Sequence, residues 1–173
     1  MDNEELAERL SATRRGDKRA FDAVYQELRK PVFTIIYRIT RDQAASEDIL
    51  QEAFLRLYRL PEEPSIRNTR AYFFQVARNL ALDSLRGGSV PASLDETEEL
   101  AAGGEDVAGR LDVERALSAL SAEENQIVTL RVNAGLKFRE IAAMLDLPLG
   151  TALWKYRRAI GKLRDILSEG GAR

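Results

Sequence analysis

Residues 87–109, in the middle of the chain, form a segment that can contribute little to a hydrophobic core. The segment reads GGSVPASLDETEELAAGGEDVAG, and this mixture of Gly, Ser, Ala and acidic residues is typical of interdomain linkers. It divides the chain of 173 residues into two small modules. We predict a first domain over residues 1–86, an acidic linker over residues 87–111 and a second domain over residues 112–173, each able to hold a helical core.

Charge is distributed unevenly, although the net charge is only -2. Residues 87–112 carry seven acidic side chains and one basic one, whereas residues 113–173 carry ten basic and seven acidic side chains. A basic region outside an acidic segment is compatible with a polyanionic partner such as nucleic acid. No apolar run approaches the roughly 18–20 residues that cross a bilayer, so we predict no membrane insertion.

The chain contains neither cysteine nor histidine. Disulfide scaffolds and thiolate metal sites are thereby excluded, and the commonest general base is missing. The acids Asp48 and Glu52, with Gln51 between them, allow two interpretations: a solvated helix face, or an acid–base or metal site. Without histidine, cysteine or a glycine-rich phosphate loop the first is favoured, and we predict a protein that is not an enzyme and holds no metal or cofactor.

Apolar residues recur at helical spacing in both domains, and the alternation typical of strands is nearly absent. In the first domain we predict helices over residues 2–15, 18–40 and 70–86, and a further helix between the last two. The predicted N-caps are Asp17, Ser46 and Thr69. The inward face of the helix that follows Ser46 is predicted to consist of Ile49, Leu50, Ala53, Phe54 and Leu57.

In the second domain, Ser121 followed by Glu124 is the sequence signature of a capping box at the start of a helix. A short helix from Phe138, a turn at Pro148 and a basic last helix follow. Helix, tight turn and helix around an apolar core is the outline of a helix-turn-helix. We therefore predict an all-α fold of two small helical domains, the second with a helix-turn-helix, joined by a flexible acidic linker.

The last predicted helix, residues 149–167, has an apolar side and a polar side when projected at about 100° per residue. Three cations on the polar side are suited to contact phosphates and guanine in the major groove, and a solvated basic face is the alternative. Trp154 either folds over a neighbouring helix or contacts thymine methyl groups or a protein partner. The predicted polar side consists of Thr151, Trp154, Lys155, Arg158, Gly161 and Lys162.

Aromatic and basic residues are mixed around Tyr72, Phe73 and Phe74. The rings either fill the core or stack on the bases of opened single-stranded DNA. Helical spacing requires some of these rings to be core but does not say which are exposed.

Three stretches of the sequence resemble the extracytoplasmic-function (ECF) group of the sigma-70 family. SEDILQEAFLRLYR, residues 46–59, resembles the segment that docks on the clamp helices of RNA polymerase. NTRAYFFQVARNLALDSLR, residues 68–86, is similar to the promoter -10 segment, and residues 117–164 resemble the -35-reading domain. All three in this order are specific to the family. Residues 65–83, SIRNTRAYFFQVARNLALD, look most like iron-citrate-type sigma factors.

The resemblance implies a cytoplasmic bacterial specificity subunit that binds core RNA polymerase and the -10 and -35 elements of promoter DNA, and that an anti-sigma factor holds. The alternative is a sigma-like adaptor that acts through protein contacts without promoter selection. The recognition helix departs from the family pattern at Leu153 and Lys155, where a lysine and an arginine are usual.

The resemblance also implies a set of site residues. The polymerase-binding residues would be Asp48, Gln51, Glu52 and Phe54. The -10 DNA-binding residues would be Arg67, Asn68, Arg70, Tyr72, Arg78 and Asn79, together with the loop over residues 60–68. The -35 DNA-binding residues would be Lys137, Arg139, Thr151, Trp154, Lys155, Arg158 and Lys162.

Overall fold

The computed structural model describes residues 1–60, 68–87 and 107–170. Within these residues all regular secondary structure is α-helical, which confirms the predicted fold class. The chain separates into two compact units, the first containing four helices and the second another four within the described ranges. The helices are α1 Asn3–Arg14, α2 Lys18–Thr40, α3 Gln43–Arg59, α4 Thr69–Arg86, α5 Val107–Ser118, α6 Ala122–Val132, α7 Phe138–Met144 and α8 Leu149–Gly170.

Short polar side chains begin each helix of the first unit by accepting a hydrogen bond from the backbone of the first turn. Asp17 caps α2 as predicted. The other two predicted caps are wrong. Asp42 caps α3, and Ser46 instead lies buried inside that helix, 2.7 Å from the Thr40 hydroxyl. The cap of α4 is Asn68, one position before Thr69. In both cases an Asp or Asn that precedes the predicted residue in the sequence takes the capping position.

The core of the first unit is built from the inner faces of all four helices. Leu6 and Leu10 of α1 and Leu28 and Ile36 of α2 are fully buried. The rings of Phe54 and Phe73 meet edge to face with their centroids 5.0 Å apart, and they link α3 to α4. Pro31 lies inside α2 without interrupting it.

In the second unit, the Ser121 hydroxyl accepts from the Glu124 backbone at 3.2 Å and the Glu124 carboxylate accepts from the Ser121 backbone at 3.0 Å. The predicted capping box is therefore confirmed. Gly135, at a φ of +67°, turns the chain after α6, and Asp146, at a φ of +54°, turns it between α7 and α8. The predicted helix-turn-helix outline is thus present as α6, α7 and α8.

Helix α5 begins at Val107, inside the segment that composition predicts as linker. Composition identifies a stretch poor in core residues, but it does not fix where the next helix begins. The rest of the linker, the -10 loop after Leu60 and the predicted site residue Arg67 lie outside the described residues. Among the described helices, none is long and apolar enough to cross a membrane.

Candidate nucleic-acid and protein interfaces

One face of α3 is turned to solvent and carries most of the predicted polymerase-binding residues. Asp48 and Gln51 are exposed, and Glu52 is partly exposed beside Arg56, with 2.7 Å between Oε1 and Nε. Such an exposed pair contributes little to stability, so both side chains can exchange it for a partner's groups. Leu55 lies on the same face and is 48% exposed.

Phe54, which the resemblance implies as a polymerase-binding residue, is buried in the core of the first unit. Its side chain is only 4% exposed, and its ring lies 4.9 Å from Tyr25 and 5.0 Å from Phe73, centroid to centroid. A ring in this position cannot reach another protein unless the core opens. Leu55 is the apolar residue that the surface offers instead. Its spacing of seven from Asp48 and four from Gln51 is the signal that could have identified it.

The structure decides which rings at the start of α4 are exposed. Phe73 and Phe74 are buried in the core, whereas Tyr72 is 39% exposed. Asn79 is exposed on the same helix, as is Gln75, which the sequence analysis did not select. Tyr72, Gln75 and Asn79 recur every three or four residues and therefore form one strip along α4.

The remaining predicted -10 residues that the structure describes have structural contacts of their own. The Asn68 side chain caps α4 by accepting from Ala71. The Arg70 guanidinium donates to the Met1 carbonyl at 3.3 Å and lies 5.4 Å from the Phe74 ring centroid. Arg78 is partly buried, and this burial lowers the pKa of its guanidinium. Among the predicted -10 residues that the structure describes, Tyr72 and Asn79 are therefore the most exposed.

The outward face of α8 is centred on Trp154, which is 55% exposed. No helix within residues 107–170 covers it, so the structure does not support the interpretation that it folds over a neighbouring helix. Its ring is instead contacted by the guanidinium of Arg158, one turn along, at 5.3 Å from the centroid. A tryptophan and an arginine thus stand together on the surface that the helix-turn-helix would present to a groove.

Two of the predicted DNA-binding cations are held by carboxylates at the start of α6. Lys155 Nζ lies 2.6 Å from Glu123 Oε2, and Lys162 Nζ lies 2.7 Å from Glu124 Oε2. Arg158 is also paired, but more loosely, with 3.5 Å between its Nε and Glu124 Oε1. The side of α8 that the sequence predicts to be the cationic reading face is therefore partly neutralised within the second unit.

Glu124 is the central group of this ion-pair cluster. Burial raises the pKa of its carboxyl, but hydrogen bonds from Lys162 and from the Ser121 backbone, with the charge of Lys162, outweigh burial and lower the pKa overall. The carboxylate therefore stays ionised at neutral pH even though the residue is only 3% exposed.

Arg157 is an exposed cation that the sequence analysis missed. It follows Trp154 by three residues on the outward face, and it makes no ion pair with any residue the structure describes. Lys137 and Arg139, at the start of α7, are also exposed, as predicted. Thr151 is partly buried at the start of α8. The helical projection assigned Arg157 to neither face, and only its exposure in the folded helix shows where it belongs.

Comparison with known proteins assigns the chain to a family. The family models for Sigma-70 region 2 and for Sigma-70, region 4 match residues 24–89 and 116–165. The ECF RNA polymerase sigma factor SigL of Mycobacterium tuberculosis H37Rv is 31% identical over 172 residues, covering 94% of this chain and 97% of SigL. The chain belongs to the ECF group of RNA polymerase sigma factors. It is therefore a transcription initiation factor, not an enzyme, and this function replaces the adaptor alternative.

Other relatives agree with this assignment of the sigma factor. The RNA polymerase sigma-H factor of Pseudomonas aeruginosa PAO1 is 29% identical over 191 residues, covering 96% of each chain. Among solved structures, CnrH in complex with the cytosolic domain of CnrY covers 97% of each chain at 21% identity and a TM-score of 0.64. RpoE of Bartonella quintana, in complex with the anti-sigma factor NepR, covers 85% of this sigma factor at 18% identity and a TM-score of 0.60. At such identities these two structures support the fold.

Proposed function

We propose that the sigma factor directs initiation at promoters through three separate binding surfaces. The exposed face of α3 binds the clamp helices of core polymerase. The strip on α4, with the preceding loop and Arg67, binds the opened -10 strand. The outward face of α8 and the start of α7 read the -35 duplex. The observation that carries the proposal is the exposure of Trp154, Arg157 and Arg158 together on the last helix of a helix-turn-helix.

The polymerase surface has the composition of a protein interface. An exposed leucine is flanked by Asp48, Gln51 and Glu52, so an apolar centre is bordered by groups that can accept hydrogen bonds. Apolar anchors surrounded by polar groups are typical of the residues that dominate binding energy. The acidic groups indicate a basic partner surface.

The -10 surface combines stacking with hydrogen bonding. Tyr72 can stack on an unpaired base, because an aromatic ring stacks on any base. Asn79 and Gln75, on the same strip, carry both donors and acceptors that fit base edges. Asn68 caps α4, Arg70 donates to the Met1 carbonyl, and Arg78 is partly buried. We expect these three residues to contribute less to DNA binding because they already have partners.

For the -35 duplex, exposed cations matter more than paired ones. Arg157, Lys137 and Arg139 are exposed and can replace counterions on phosphates. Lys155 and Lys162 must first leave Glu123 and Glu124, so we expect them to contribute less. Trp154 and Arg158 are placed to contact bases, and Thr151 to contact the backbone.

Three further parts of the proposal rest on the family. The structural relative RpoE forms a complex with the anti-sigma factor NepR, and an anti-sigma protein is likewise the expected partner of this sigma factor. The sigma factor is expected to act in the bacterial cytoplasm, where its polymerase is. Residues 65–83 favour an iron-citrate-type role, which transcript sequencing after overexpression tests through the genes that respond.

Purified core polymerase together with this sigma factor is expected to start transcription at promoters that share -10 and -35 motifs, and core alone is not. Sequencing the transcripts after overexpression in the host supplies the promoters, and run-off transcription in vitro measures initiation from them. Binding to core without promoter selection would contradict the proposed roles of α4 and α8. Failure to bind core would contradict the proposal as a whole.

Arg157→Ala is expected to weaken binding of holoenzyme to such a promoter and to reduce the slope of log affinity against log salt by about 0.9, the value of one phosphate contact. Lys155 is a nearby cation on the same helix that is paired with Glu123, and Lys155→Ala is expected to change the slope by less than half as much. Fluorescence anisotropy over a salt series measures both slopes. Equal slopes for the two variants would contradict the ranking of exposed over paired cations.

A further inference from the structure

We infer that Glu124 is a positioning residue for base reading, which holds Arg158 against Trp154 so that α8 presents a fixed arginine–tryptophan pair to the major groove. This pair selects a guanine next to a thymine in the -35 element. The inference rests on the proposed -35 role of α8 and deepens it, because it names the bases that this part of the helix reads.

Glu124 is held rigidly enough to orient a second side chain. One oxygen accepts from the Ser121 backbone at 3.0 Å and from Lys162 Nζ at 2.7 Å, while its own backbone donates to the Ser121 hydroxyl. The residue is almost fully buried. One carboxylate oxygen is therefore fixed by the Ser121 backbone at the cap of α6 and by Lys162 of α8. The other oxygen faces Arg158.

Arg158 meets this carboxylate through Nε, at 3.5 Å from Oε1. Contact through Nε leaves one outer N–H on each of the two terminal amino groups of the guanidinium available to another acceptor. Those two groups form the fork that donates to guanine O6 and N7. The guanidinium also lies 5.3 Å from the Trp154 ring centroid, and this contact restricts its rotation further.

The ring and the fork lie one turn apart on the same exposed face, so they reach neighbouring base pairs. An apolar ring edge in the major groove favours the thymine methyl group. An arginine held beforehand in its binding rotamer loses less side-chain entropy on contact with guanine. The arginine–tryptophan pair is therefore expected to select a thymine next to a guanine, and not only to bind phosphates.

Glu124→Gln tests the positioning role without removing the cap. Glutamine occupies the same volume, and it serves as well as glutamate at this position of a capping box. The charge that orients Arg158 is lost. Glu123→Gln is the matched control, because Glu123 is the neighbouring acid and pairs with Lys155 instead.

The experiment uses holoenzyme reconstituted from core polymerase and the full chain, on a promoter library whose -35 region is randomised. Transcripts are sequenced, and base enrichment is measured at each position. Wild type is expected to enrich guanine next to thymine, and Arg158→Ala is expected to lose the guanine by about ten- to a hundredfold. Glu124→Gln is expected to lose enrichment of that same guanine by about three- to tenfold, and Glu123→Gln to keep it.

Enrichment in Glu124→Gln that matches wild type at every position would overturn the inference, and so would a uniform loss at all positions, which indicates a structural role alone. Should Glu124→Gln fail to fold, as judged by thermal unfolding, Trp154→Ala replaces it. That exposed substitution is expected to lower the same guanine and the neighbouring thymine, and an unchanged guanine overturns the inference. A wild-type motif without guanine overturns the inference but leaves the -35 role intact. If the wild-type protein enriches no base at any position of the -35 region, the proposed -35 role of α8 is itself overturned.

Discussion

Leu55→Asp is expected to weaken binding of the sigma factor to core polymerase by about thirtyfold or more while leaving its thermal stability unchanged. Leu55 is half exposed at the centre of the polar face of α3, so its substitution removes an apolar anchor and places a charge at the interface. Loss of one hot-spot residue costs about 2 kcal/mol or more of binding free energy, which corresponds to about thirtyfold in affinity. Titration of labelled sigma factor with core polymerase measures the affinity.

Val132→Asp is the matched control for this prediction. Val132 is also an exposed aliphatic residue on a helix, but it ends α6 in the second unit and is not part of the proposed polymerase surface. This variant is expected to bind core like wild type. Equal losses from both variants, or an unchanged affinity of Leu55→Asp, would count against the α3 surface.

Phe73→Ala is expected to unfold the first unit or to reduce its free energy of unfolding by about 3–5 kcal/mol. The ring is fully buried, and it packs against Phe54 at 5.0 Å, so truncation leaves a cavity between α3 and α4. A domain has only about 5–15 kcal/mol of stability, so such a loss is severe. Denaturant unfolding followed by circular dichroism measures it.

Tyr72→Ala, at the adjacent position, is expected to separate stability from function. Its ring is partly exposed, and we expect a change of within about 0.5 kcal/mol in unfolding free energy together with loss of promoter opening. Permanganate reactivity of thymines around -10 reports the opening. Similar destabilisation by the two substitutions would show that Tyr72 belongs to the core, and normal opening in Tyr72→Ala would remove it from the -10 surface.

Much of the fold follows from local patterns in the sequence. Apolar spacing predicts the helices, and the bounds of α2, Lys18–Thr40, agree with the predicted range because Asp17 is a strong cap. Ser121 and Glu124 predict their reciprocal hydrogen bonds because both groups lie within one turn. The cap of α3 was mispredicted because Ser46 and Asp42 are both suitable capping residues, and local sequence does not rank them.

The sequence predicted less well which side chains of the candidate sites are exposed, and the reason is geometric. A helical projection separates two sides of a helix, but neighbours such as Phe54 and Leu55 differ by only about 100° around it. Which of them is buried depends on where Tyr25 and Phe73 lie, and these belong to other helices. The same limit explains why Arg157 was overlooked and why Phe73 and Phe74 could not be told from Tyr72.

By itself the sequence determined that this protein has two helical domains around an acidic segment, that the second holds a helix-turn-helix, and that the whole resembles an ECF sigma factor. Only the tertiary structure decided which cations of the last helix are exposed. Glu124 and Lys162 are 38 residues apart in the chain, and they meet because α6 packs on α8. Ion pairs between distant residues carry no local signal, since they form only after the hydrophobic core has brought the two helices together.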